Sequence, residues 1–295
     1  MSKVNEHYTQ NHIRFGIDKT VSKYLSAGII TQKDIDLINT YISWKNATGK
    51  HLLSPSRIRN ITITLIYWRK YLKVSYTHAK INEIIAAVGE FKKEPMEQNT
   101  ANTYIVILKG FYYYLKDQKL SKVDKDAIRT IKSPGMNKHT TEPGDILTAE
   151  QVRRLLDSTM NPCHKALIAV SWEAGARPSE INTLQWSDAV ADEYGYKLMI
   201  TDSKMGGNTR FARLTFSAPF LSEWEKHTSY KAKDDYIFVN KTGEPFTYGG
   251  TACLINRIVK KAGIEKHVTL YSFRKGRIND MIKANVPITA IKGQI

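Results

Sequence analysis

Only two cysteines, Cys163 and Cys253, occur in 295 residues, so a disulfide framework is excluded and a reducing, cytoplasmic compartment fits. No apolar run approaches the ~18 residues a membrane-spanning helix needs, so no membrane partner is expected. The opening MSKVNEHYTQNHIRFG lacks the apolar stretch of a secretory signal. Neither GxxxxGK[ST] nor GxGxxG is present, which leaves nucleotide cradling unsupported, and GxSxG is missing too. The eight histidines never pair with one another or with carboxylates at ligand spacing, so neither a metal site nor a cofactor is expected. Cys163 and His164 are adjacent and read as packing residues.

Acidic residues are also scarce: 28 Asp plus Glu stand against 44 Lys plus Arg, for a formal charge of +16 and a pI near 9.6. Hydrophobic residues at 42% and charged residues at 24% are ordinary for a folded protein and exclude a disordered tail. An excess of this size rewards a polyanionic partner, and nucleic acid is the commonest one. Residues 251–295 carry 9 basic and 2 acidic residues, a local concentration that suits a phosphate-facing surface or a solvated helix face.

The first half reads as helices. Thr31 and Asp34 form an N-terminal box ahead of Ile35, Ile38 and Ile42. Ser54 followed by Pro55 is a second start, and Ile58, Ile61, Leu65, Trp68 and Leu72 then step by three or four along one face. A third helix is predicted from Ile81 to Val88, ending at Gly89, and a fourth from Gln98 to Lys116. Tyr112, Tyr113 and Tyr114 on that fourth helix read as core and rim packing rather than base-stacking groups. The predicted organisation is an N-terminal arm (1–16), a helical domain (17–118), a linker (119–147) marked by Pro134-Gly135 and Pro143-Gly144, and a mixed second domain (148–295).

Thr148 and Gln151 open that second domain as a capping box. A helix from Pro162 to Glu173 stops at Gly175, a left-handed cap, and a short one runs from Pro178 to Leu184. Lys197–Thr201 and Phe211–Thr215 read as strands of a hairpin turned at Gly206-Gly207, and Asp235–Val239 as a further strand. Helices follow over Ala218–His227, Tyr248–Lys261 and Tyr271–Lys283, with a last one opened by Pro287. The fold class expected is mainly α with a small antiparallel β-sheet.

Three tracts carry chemistry. In GARPSEINTLQWSD, Arg177 opens a short helix beside free backbone N–H groups, and Glu180 one turn on can hold its guanidinium. The bland alternative is an ordinary surface ion pair. In TLYSFRKGR, Tyr271 and Arg274 share a helix face, and a phenol and a guanidinium fork can both donate to one phosphate. Between them Lys204, in SKMGGN, sits at the hairpin tip, where a flexible ammonium can reach into a site and deliver a proton.

The order of these motifs resembles the tyrosine recombinase, or phage-integrase, family. ILTAEQVRRLL is similar to that family's domain opening, and NVPITAIKGQI to the segment leading to its last catalytic motifs. The resemblance implies an N-terminal core-binding (SAM-like) domain, a mixed α+β catalytic domain and metal-free DNA strand exchange through a 3′-phosphotyrosyl link. It implies that Arg177 and Arg274 bind the scissile phosphate, that Lys204 is the general acid for the leaving oxygen, and that Glu180 orients Arg177. Tyr271 stands where the family usually has His; a phenol still donates to phosphate but is a poor general base. His267, four residues earlier, precedes the predicted helix start and is set aside as a substitute. No tyrosine follows Tyr271, so the expectation is a chain truncated before its nucleophile, with no nucleophile and no covalent chemistry of its own. The alternative is a non-cleaving DNA-binding relative or regulator on the same scaffold. Double-stranded DNA is the expected partner, with a homotetramer on paired sites and a nucleoid-associated location. Arg57, Arg59, Lys109, Lys260, Lys261 and Lys275 are candidate DNA contacts.

Overall fold

The structure, a computed structural model, describes residues 17–138, 142–201 and 209–295. The expected arm (1–16) and the hairpin turn with Lys204 lie outside the described residues. The chain divides into two compact units, Ser2–Thr140 and Thr141–Ile295. Each has its own hydrophobic core. Among the described residues, no helix is long and apolar enough to cross a membrane.

The first unit is all helix: α1 (residues 17–26), α2 (Gln32–Thr48), α3 (Pro55–Trp68), α4 (Ile81–Phe91), α5 (Gln98–Asp117) and α6 (Lys125–Thr130). The Thr31 hydroxyl and Asp34 carboxylate cap α2 reciprocally, and the Ser54 hydroxyl accepts from the Arg57 N–H at the start of α3. Aromatic rings fill the centre: Tyr41 meets Phe111 edge-on at 5.1 Å, and Phe91 stacks on Tyr104 at 5.7 Å. Tyr112 and Tyr114 are buried and Tyr113 packs against the same core, which is the packing role expected of them.

Two expectations need correcting here. Helix α4 does not stop at Gly89 but runs to Phe91, whose ring is fully buried. Burying that ring outweighs the roughly 1 kcal/mol cost of an interior glycine. The tract read as a linker also contains α6, and Val123, Ile128 and Ile131 are buried in the first unit's core. Six residues are too few to show a helical period, so only burial reveals them.

In the second unit, α7 (Ala149–Asp157), α8 (Pro162–Ala174) and the short α9 (Pro178–Ile181) precede a three-stranded antiparallel sheet. Its strands are β1 (Ala189–Asp192), β2 (Gly195–Thr201) and β3 (Thr209–Leu214), in that order across the sheet. Then come α10 (Ala218–His227), α11 (Tyr248–Lys261), α12 (Leu270–Lys283) and α13 (Ile288–Gln294). The mainly helical class with one small antiparallel sheet is as the sequence leads one to expect. Helix α8 is the central element: every residue from Ala166 to Ala174 is buried, so it is covered all round rather than on one face, with Ser171 and Glu173 the polar members of that stretch. Tyr196, Leu198 and Ile200 of β2 alternate inward against Ala212 and Leu214 of β3.

Asp235–Val239 is not a strand. It makes isolated bridges only, Gln185 with Tyr236 and Val239 with Pro245. Ile237, Phe238 and Val239 are all buried, so the segment threads the core without alternating faces. Its backbone is satisfied piecemeal: the Ile237 N–H donates to Leu184 O at 2.8 Å, and Trp224 Nε1 donates to Ile237 O at 2.6 Å. The short α9 ends at Ile181, three residues before the expected Leu184.

Candidate active site

The site is built at the end of α8. Gly175 takes a left-handed backbone (φ 56°, ψ 25°) that terminates the helix, and Ala176 is buried behind it. The chain is then extended at Arg177, and Pro178 starts α9. Glu180 folds back over this turn. Its carboxylate accepts from the Arg177 backbone N–H and from Arg177 Nη1, both at 2.7 Å. The Glu180 side chain is 3% exposed and that of Arg177 24%, so this is no ordinary surface pair.

Helix α12 brings Arg274 to the same turn. Arg274 Nη1 donates to Gly175 O at 2.8 Å, and Nη2 donates to Ile295 O at 2.9 Å. Burial lowers the proton affinity of Arg274 from its usual value, and the positive fields of Arg177 and Arg210 lower it further, against the opposing pull of Glu180 and Tyr271. These are the signs of guanidinium groups crowded together. Tyr271 lies one turn before Arg274 and is 42% exposed.

A residue that the sequence reading passed over completes the cluster. Arg210, on β3, donates to Glu180 Oε2 at 2.7 Å and Oε1 at 3.2 Å, and its Nε donates to Gln294 O at 3.1 Å. Strand alternation was the available signal, since it puts Arg210 on the same inward face as Ala212 and Leu214. For Glu180, burial pushes the carboxyl up, but hydrogen bonds from Arg210 and Arg177 outweigh it and hold it below its ordinary value.

The turn is braced from behind. Glu173, the penultimate residue of α8, accepts from the backbone N–H groups of Thr215, Phe216 and Ser217 at 2.8–3.0 Å and from the Ser217 hydroxyl at 2.6 Å. Its main-chain oxygen accepts from Gln294 Nε2 at 3.0 Å. Three guanidinium groups against one carboxylate leave the cluster two charges positive, with donors fixed by buried partners. Such a constellation is suited to an oxyanion whose charge grows during reaction.

Of the predicted residues, the structure gathers Arg177, Glu180, Arg274 and Tyr271. Lys275, beside Arg274, is exposed, as are Lys260 and Lys261 at the end of α11 and Arg57 and Arg59 on α3. Lys109 Nζ donates to Ile131 O at 2.7 Å and ties α5 to the end of α6. His267 lies ahead of α12, which begins at Leu270. No group of three or more His, Cys, Asp or Glu is arranged to hold a metal among the described residues.

The chain is 23% identical over 256 residues to the tyrosine recombinase XerD of Listeria innocua, covering 81% of this chain and 83% of that one. Its fold matches XerH site-specific recombinase bound to its difH substrate, with a TM-score of 0.62 at 18% identity over 88% of this chain and 76% of that one. It also matches the lambda integrase tetramer bound to a Holliday junction, with a TM-score of 0.70 at 12% identity over 93% and 80% of the two chains. Residues 145–294 match the phage integrase family, a span that includes α7 to α13 and every member of the arginine cluster, and the chain belongs to that family of tyrosine recombinases.

Proposed function

We propose that this chain binds duplex DNA as a site-specific recombinase and holds the scissile phosphate between Arg177 and Arg274. The observation that carries the reading is the meeting of these two side chains, 97 positions apart in sequence, at the Gly175 turn with Glu180 buried beneath them. In the reaction a tyrosine oxygen forms a bond to phosphorus while the bond to the 5′-oxygen breaks. The two guanidinium forks stabilise the charge gained in the transition state. The Tyr271 hydroxyl donates to the same phosphate. Lys204 gives a proton to the departing 5′-oxygen, and Glu180 keeps Arg177 in place. None of the 295 residues is assigned as the nucleophile, because no tyrosine follows Tyr271.

Exposed Arg57, Arg59, Lys260, Lys261 and Lys275 supply further phosphate contacts. The net charge of +16 supplies long-range attraction. Assembly as a homotetramer on paired sites, at the nucleoid, completes the reading.

Fluorescence anisotropy with a labelled duplex over a range of salt concentrations tests the DNA-binding part. Affinity should fall steeply with salt, and Arg177→Ala and Arg274→Ala should each reduce the log–log slope by about one while leaving most of the affinity. Unchanged slopes in both variants would remove the phosphate assignment. A denaturation-resistant protein–DNA adduct formed by this chain would overturn the assignment of no nucleophile.

A further inference from the structure

Arg210 is a cation in a core-facing register. It stands opposite Ile200 in the β2–β3 ladder, on the strand face of Ala212 and Leu214, which are fully buried. A guanidinium there must exchange water for protein acceptors, and it has three: both oxygens of Glu180 and the main-chain oxygen of Gln294. Its side chain is only 14% exposed. With its donors engaged inward, Arg210 is poorly placed to grip DNA itself. It is well placed to govern a group that does.

We propose that Arg210 is a positioning residue that sets the phosphate-binding pose of Arg177 by holding Glu180 from the opposite side; the proposal rests on the phosphate-binding reading of the site. An arginine facing a carboxylate tends to close a two-bond fork with it. Here Arg210 spans both carboxylate oxygens, and Arg177 Nη1 meets Glu180 at Oε1. Removing Arg210 frees Glu180 to draw Arg177 into that fork and away from the incoming phosphate. Arg210 also sits one residue into β3, so the same contacts pin the start of that strand to the turn that carries Arg177. Lysine cannot replace it, because an ammonium keeps the charge without the planar fork that bridges two oxygens.

The test is duplex binding by the whole 295-residue chain as wild type, R177A, R210K, R210M and the R177A/R210M double variant, each with a thermal melt. Both R210K and R210M should weaken binding by a similar factor to R177A, and the double variant should bind no more weakly than R177A alone, because Arg210 acts through Arg177. Wild-type affinity in R210K would show that charge alone suffices and overturn the proposal. A double variant weakened by the product of the two single factors would overturn it as well, since Arg210 would then act independently. If R210M melts early, R210K alone decides, provided its melt matches the wild type; if R210K also melts early, Arg210 is a fold residue and the positioning role is rejected. Failure of the phosphate reading has its own signature, R177A with wild-type affinity and salt slope.

Discussion

Glu180 is a carboxylate that two guanidinium groups keep ionised inside the protein, and its pH behaviour follows from that. Its folded proton affinity lies below the ordinary value, so it contributes stability at pH values above the usual glutamate range, near ~4.3, and loses it as pH falls through the lower folded value. Glu180→Gln should therefore cost about 3 kcal/mol at neutral pH, since it leaves two crowded cations without their counter-charge. The gap between wild type and variant should shrink as the solution is acidified below pH ~4. Denaturant unfolding across that range measures it, and a gap independent of pH would remove the ion-pair account. Arg177, Glu180 and Arg274 were legible in the sequence because their spacing puts each at a helix start or on a helix face. Arg210 was only half legible: strand alternation turns it inward, but its partner lies 30 positions away and no spacing links the two.

At the scale of elements, the site depends on how closely α12 approaches the start of the second unit and α8. Gly276 permits that approach: a Cβ there would collide with the Leu147 carbonyl and lie 2.7 Å from the Trp172 ring. Gly276→Ala should destabilise the protein by about 1–3 kcal/mol, seen as a lower melting temperature, because a backbone carbonyl cannot move aside as a side chain can. The brace at Glu173 gives a second prediction. Glu173→Ala orphans three backbone N–H groups at the β3–α10 turn and should cost at least ~3 kcal/mol by chemical unfolding. The capped helices α2, α3 and α7 were legible from local residue chemistry. The four-residue β1 and the Asp235–Val239 segment were not: the first is too short to show alternation, and the second is β-rich in composition but finds no continuous neighbour.

For the molecule as a whole, two separate cores predict two separable folding units. Fragments 2–140 and 141–295, made independently, should each give a cooperative thermal transition with helical circular dichroism. Failure of either to fold alone would show that its core is incomplete without the other. The near edge of the linker could not be read from composition: Val123, Ile128 and Ile131 lie within the polar tract 119–147, yet they are buried with the first unit.

The last turn of α8 carries a consequence of its own. Within three residues, Glu173 seats the β3–α10 turn, its carbonyl takes Gln294, and Gly175 takes Arg274. One alanine inserted in the middle of α8 would rotate everything beyond it by about 100°. Every one of those attachments would then be lost in a single stroke. Evolution can therefore lengthen the surface loops of this unit one residue at a time, whereas the reading frame of this one rod is closed to insertion.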